Sequence, residues 1–217
     1  MTNINLQQLE LQCAAFIKQQ PQADKAHDIQ HLRRVVTAAK QFARQEQAEL
    51  GIVIPAAWLH DCVTVAKNHP QRHLASTLAA DHAITFLTSI NYPEQYLKAI
   101  HHAICAHSYS AELPVESLEA AIVQDADRID ALGAIGIARC IQVSTQFNAE
   151  LYCADEPFAN VRELDEKQYC IDHFFTKLFT LADTMNTDAA RQEANQRTDY
   201  MKAFLSQLGH EIGTPFL

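Results

Sequence analysis

Apolar residues recur every three or four positions along most of this chain, the period of helices packed on helices rather than of sheets. Leu6, Leu9, Cys13, Phe16 and Ile17 predict an opening amphipathic helix, followed by a polar break from Gln19 to Asp24. His31, Val35, Ala38/Ala39 and Phe42 resume the step, which puts His31 on a buried helical face. Ala75, Ala79, Ala83, Phe86 and Ile90 predict another helix, ended by a turn at Asn91–Pro93, and Leu97, Ile100, Ile104 and His107 one more. From Leu118 through Ile122, Asp125 and Ile129 to Ile141 the pattern is apolar all round, the mark of one central buried helix. Cys153 to Gln168 is polar and irregular, a loop or lid, and two amphipathic helices follow around Ile171–Met185 and Tyr200–Leu208.

The run GIVIPAAWLHD has the composition of a buried strand, but Pro55 suits the first turn of a helix and Ala56–Ala57 is poor strand material. It is read as a short buried helix ending in His60 and Asp61. Its apolar part, Gly51 to Leu59, is far too short to cross a membrane. With 217 residues, 48% hydrophobic and only five Gly, the expectation is an all-α fold in a single domain over residues 1–217. Its core motifs fall in residues 26–140, with C-terminal helices at 170–208 packed on them. The six cysteines form no C-x-x-C pair and the N-terminus lacks a signal-peptide pattern, so a cytoplasmic protein with reduced thiols is expected. A net charge of −9 without a run of Lys or Arg argues against duplex nucleic acid as a partner. A small anionic substrate remains compatible, because a divalent cation inverts the local field.

Several ionisable residues interrupt apolar stretches, which is costly unless they are paired or bind a metal. His31 sits on an apolar face, His60 and Asp61 follow AAWL, and Asp125, Asp127 and Asp130 punctuate an otherwise apolar helix. Imidazole and carboxylate together suit divalent metals such as Mn, Fe, Zn or Mg. The blander reading has weight too: a lone buried His is usually a hydrogen-bonded core residue, and a buried Asp more often caps or salt-bridges. On composition and spacing alone the two readings stand about even.

The order HDIQHLRRVV, AAWLHDCV and VQDADRIDALGA resembles the H…HD…D signature of the HD-domain metal-dependent phosphohydrolases. KNHPQRHLAS, IxxAICAHSYS, IDHFFTKLFTLADTM and FLSQL extend the likeness to one bacterial branch, the YpgQ- and YedJ-like proteins, over roughly Ala26 to Leu208. The resemblance implies a helical bundle with a buried divalent metal, Mn, Fe, Co, Mg, Ni and Zn not being distinguished. Its ligands would be His31, His60, Asp61 and Asp127. Periodicity alone favours Asp125 over Asp127 as the inward residue; the motif favours Asp127.

Further roles follow, for His107 and Arg128 from the same resemblance and for the others from their positions in the sequence. Lys67 and Arg72, just past the HD pair, would neutralise substrate phosphate; His107, in the HSYS motif, would be an acid, a phosphate contact or a second-metal ligand. Asp125 or Asp130 would serve as base, since HDCVTVAK carries Thr64 and no carboxylate where some HD enzymes have one. His27, one turn before His31, would bond a ligand, touch substrate or help hold a second ion, and Arg128 would contact phosphate. His101 and His102 match no recognised position. The implied activity is hydrolysis of a small phosphate ester or anhydride, a nucleotide being favoured and a nucleoside triphosphate pyrophosphohydrolase most of all. The alternatives are another HD activity, such as a 5′-nucleotidase or phosphodiesterase, and a regulatory protein that binds metal and nucleotide without turnover. Nothing here conflicts with a homo-oligomer.

Overall fold

A computed structural model describes residues 5–20, 28–63, 65, 74–108 and 111–216. Among them are nine α-helices, one 3₁₀-helix and no strand beyond an isolated bridge between Glu150 and Tyr169, so the fold is all-α. No helix among the described residues is long and apolar enough to cross a membrane.

The chain divides into two compact units, Met1–Asp127 with Asn186–Ala190, and Arg128–Met185 with Arg191–Leu217. The first unit is organised by α3 (Leu50–Leu59), which is apolar on every face and packs against α1 (Leu6–Ile17), α2 (Ile29–Gln45), α4 (Ala75–Ser89) and α5 (Glu94–His107). Asn5, Asp28 and Glu49 cap α1, α2 and α3 by accepting from backbone N–H groups that helices leave unpaired. Pro55 stands mid-helix in α3, not in the first turn as its residue type suggested. Its missing N–H leaves the Gly51 carbonyl without an intrahelical donor, and the Tyr92 hydroxyl supplies one at 2.5 Å.

The single helix expected from Leu118 through Ile141 is two: α6 (Leu118–Ile129) and α7 (Gly133–Gln146). Gly133 takes a left-handed φ of 73°, and a Cβ on Gly136 would stand 2.2 Å from the Ala131 carbonyl oxygen. The two glycines let the chain turn sharply inside an apolar run that periodicity cannot divide.

The helix expected at Ile171–Met185 is likewise shorter. It comprises α8 (Asp172–Thr176) and a 3₁₀-helix at Leu178–Thr184. The last helix, α9 (Asp188–Ile212), is longer than its apolar stripe implied. In the irregular stretch before α8, Arg162 grips Asp172 with two hydrogen bonds of 2.6 Å and stacks over the Tyr169 ring. All six cysteines are free thiols.

Candidate metal centre

Local sequence explains how the key imidazoles are aimed. Asp28 accepts from the backbone N–H groups of Gln30 and His31, starting α2 so that His31 enters its buried face at 1% exposure. His60 ends α3, where its Nδ1 lies 2.9 Å from the Ala57 carbonyl of its own last turn. A carbonyl only accepts, so Nδ1 carries the proton and the other nitrogen, Nε2, presents its lone pair when the ring is neutral. His107 repeats the device at the end of α5, with Nδ1 2.6 Å from the Ile104 carbonyl.

These rings meet two carboxylates. Asp127 Oδ1 is 3.4 Å from His31 Nε2 and 3.7 Å from His60 Nε2. Asp61 bridges the other side, with one oxygen 3.7 Å from His60 Nε2 and the other 3.7 Å from His107 Nε2. Two overlapping triads result, His31–His60–Asp127 and His60–Asp61–His107, each able to offer its ligand atoms to one ion. The four ligands implied by the sequence are thus divided between triads that share His60. His60 Nε2 is fully buried without a hydrogen-bond partner, an uncommon and costly state that a metal bond would relieve. Nitrogen and carboxylate donors in this number fit a divalent ion.

Electrostatics reinforce the geometry. Burial alone would push the His60 imidazole down, but the neighbouring Asp61 and Asp127 outweigh it and lift the ring to about 9. Burial likewise opposes ionisation of Asp127, yet the rings of His31 and His60 beside it hold its carboxyl well below the usual carboxylate range. His107 is moved the other way: burial, helped by the charge of His60, pushes it below its ordinary value.

The other residues singled out in the sequence have partners outside the two triads or lie outside the described residues. Asp125 is fully buried, as periodicity implied, but its oxygens accept from the backbone N–H groups of Asn186 and Thr187, the Asn186 side-chain amide and the Thr187 hydroxyl. It anchors the start of α9 and belongs to neither triad. Asp130 pairs with Arg139, and Arg128 donates to the Thr184 carbonyl at 2.8 Å. His101 pairs with Asp81, and His102 accepts from the Glu116 N–H. His27, Lys67 and Arg72 lie outside the described residues.

The sequence reading does not single out Asn186 and Thr187, which donate to Asp125, or Gln124, whose amide bonds the Ala106 carbonyl and the Asn186 side chain. The available signals were a Gln inside the apolar run AAIVQDAD and the helix-start pattern of Asn186–Thr187–Asp188.

Residues 28–132 match the HD domain family. YpgQ of Bacillus subtilis is 33% identical over 191 residues, covering 86% of this chain and 84% of YpgQ. The chain belongs to the HD-domain family. Solved structures agree. The crystal structure of B. subtilis YpgQ in complex with ADP superposes with a TM-score of 0.69 at 30% identity, over 95% of this chain and 94% of YpgQ. An HD-superfamily hydrolase from Bacillus thuringiensis reaches 0.73 at 32% identity, over 95% and 98%. As a member of this family the chain is a metal-dependent phosphohydrolase, and its buried His and Asp residues form a group that could hold the ion.

Proposed function

We propose that this HD-domain hydrolase cleaves nucleoside triphosphates to the monophosphate and pyrophosphate, using one divalent ion held by His31, His60, Asp61 and Asp127. The observation that carries the metal assignment is the buried Nε2 of His60, which makes no hydrogen bond and faces both carboxylates at 3.7 Å. A nucleotide is supported by the similarity to YpgQ, whose structure was solved with ADP. The favoured leaving group follows from the likeness to the YpgQ-like branch.

A bound divalent ion supplies Lewis acidity, favouring deprotonation of water and drawing charge from a phosphoryl oxygen. The protein supplies the rest. His107, fixed with its proton on Nδ1 by the Ile104 carbonyl, presents a basic Nε2 toward Asp61, and we assign it the proton of the attacking water. Asp61 lies between His60 and His107, one oxygen 3.7 Å from each Nε2, beside the site where a bound ion would sit. Lys67 and Arg72 are assigned to the substrate phosphates, as cations near the HD pair in sequence. Asp125, its oxygens committed to four donors, is assigned to anchoring α9 rather than to base catalysis.

The deciding experiment screens nucleoside mono-, di- and triphosphates with Mn, Co, Mg and Ni and identifies the products. Pyrophosphate from triphosphates supports the proposal. Orthophosphate from monophosphates would assign a 5′-nucleotidase instead. Binding of metal and nucleotide without turnover would make the protein a sensor.

A further inference from the structure

The C-terminal carbonyls of a helix lack intrahelical donors, and the last turn of α5 carries His107. The Ala106 carbonyl, one residue before His107, accepts at 2.8 Å from the side-chain Nε2 of Gln124, which is only 6% exposed. The other end of that amide is taken as well: Gln124 Oε1 accepts at 2.9 Å from Asn186 Nδ2. Asn186 is in turn fixed by Asp125 through both its backbone and side-chain nitrogens. Gln124 therefore has a single amide orientation that satisfies both neighbours, and it lies one helical turn before Asp127 on α6.

We infer that Gln124 is a positioning residue for His107, tying the end of α5 to the turn of α6 that presents Asp127. The inference rests on the assignment of His107 as proton acceptor. Gln124 touches neither metal ligand nor substrate in this scheme; it sets where the His107 ring stands relative to Asp61. Asn186 keeps the amide from flipping, so the donor faces Ala106. A misplacement of about 1 Å at a reacting group costs on the order of 100-fold in rate.

The test compares Gln124→Met and His107→Gln singly and together, measuring kcat, KM and metal content on the metal-loaded enzyme with the best substrate found. Gln124→Met should lower kcat by about 10- to 100-fold, with KM and metal content near wild type. In the His107→Gln background the same change should cost little more, because the residue it acts through is gone. Should the Met variant fold poorly, Gln124→Glu carries the test: it keeps the acceptor for Asn186 and lacks the donor for Ala106. Wild-type kcat in a folded Gln124 variant, or an equal loss in both backgrounds, overturns the positioning role alone. If His107→Gln turns over like wild type, the His107 assignment fails and this inference with it.

Discussion

Measuring metal affinity as a function of pH distinguishes a site built on His60 from one in which that ring is a core residue. In the metal-free protein His60 is lifted from its ordinary 6.5 to about 9, so the ring is protonated at neutral pH. A metal bond needs the bare Nε2, and binding must therefore expel that proton. Below about pH 9 the apparent affinity should rise at least tenfold per pH unit on account of His60, or by about 2.7 kcal/mol or more between pH 6.5 and 8.5. Asp127, held well below the usual carboxylate range, is already ionised and adds no proton, while any proton on His31, the other imidazole ligand, steepens the dependence further.

The same proton has the opposite effect on the metal-free fold. Because the folded value lies above the unfolded one, His60 stabilises fully below 6.5, and that contribution is lost as pH rises through about 9. The interval corresponds to about 3 kcal/mol. The metal-free protein should therefore melt at falling temperature from pH 6.5 to 9, a decline the metal-loaded protein should lack. Titration calorimetry in two buffers of unlike protonation enthalpy counts the protons directly. Release of at least one per ion is expected near pH 7. Affinity independent of pH, or binding without proton release, would refute the role of His60.

Asp125→Ala should cost about 2–4 kcal/mol in urea unfolding, because it strands the Asn186 and Thr187 donors at the start of α9; a loss below about 0.5 kcal/mol would remove its anchoring role. Gly136→Ala should destabilise by about 1–3 kcal/mol or more, since the new methyl meets the Ala131 carbonyl at 2.2 Å, and an unchanged melting temperature would contradict the tight turn between α6 and α7. Lys67→Ala should keep its metal yet lose about 2–4 kcal/mol of transition-state stabilisation, as one charge-stabilising donor does. That loss should shrink for substrates with fewer phosphates, and unchanged kinetics on every substrate would make Lys67 an ordinary surface charge.

What sequence reveals here divides along the range of the interactions involved. The burial of His31, the helix that ends in His60 and Asp61, and the all-α architecture depend on residues a few positions apart, and all were legible from period and local chemistry. The break between α6 and α7 was not, because Gly133 and Gly136 sit in a run whose apolar faces continue across the turn. Pro55 was misplaced for a similar reason: what makes it tolerable mid-helix is the hydroxyl of Tyr92, 41 residues from the carbonyl it satisfies.

Asp125 and Asp127 show the limit most clearly. Periodicity pointed to Asp125 as inward, and that residue is indeed the more deeply buried of the two. Burial, however, does not say what a carboxylate is buried against. Asp125 meets N–H donors from residues 61 and 62 positions later, which use up its oxygens, whereas Asp127 meets imidazole nitrogens that can turn lone pairs toward an ion. A carboxylate surrounded by donors is already satisfied and has little to gain from a cation. One that faces other potential ligands, with a buried nitrogen that makes no hydrogen bond among them, gains a great deal. The choice between the two aspartates thus turns on the partners each meets across the fold, which is why periodicity along α6 could not make it.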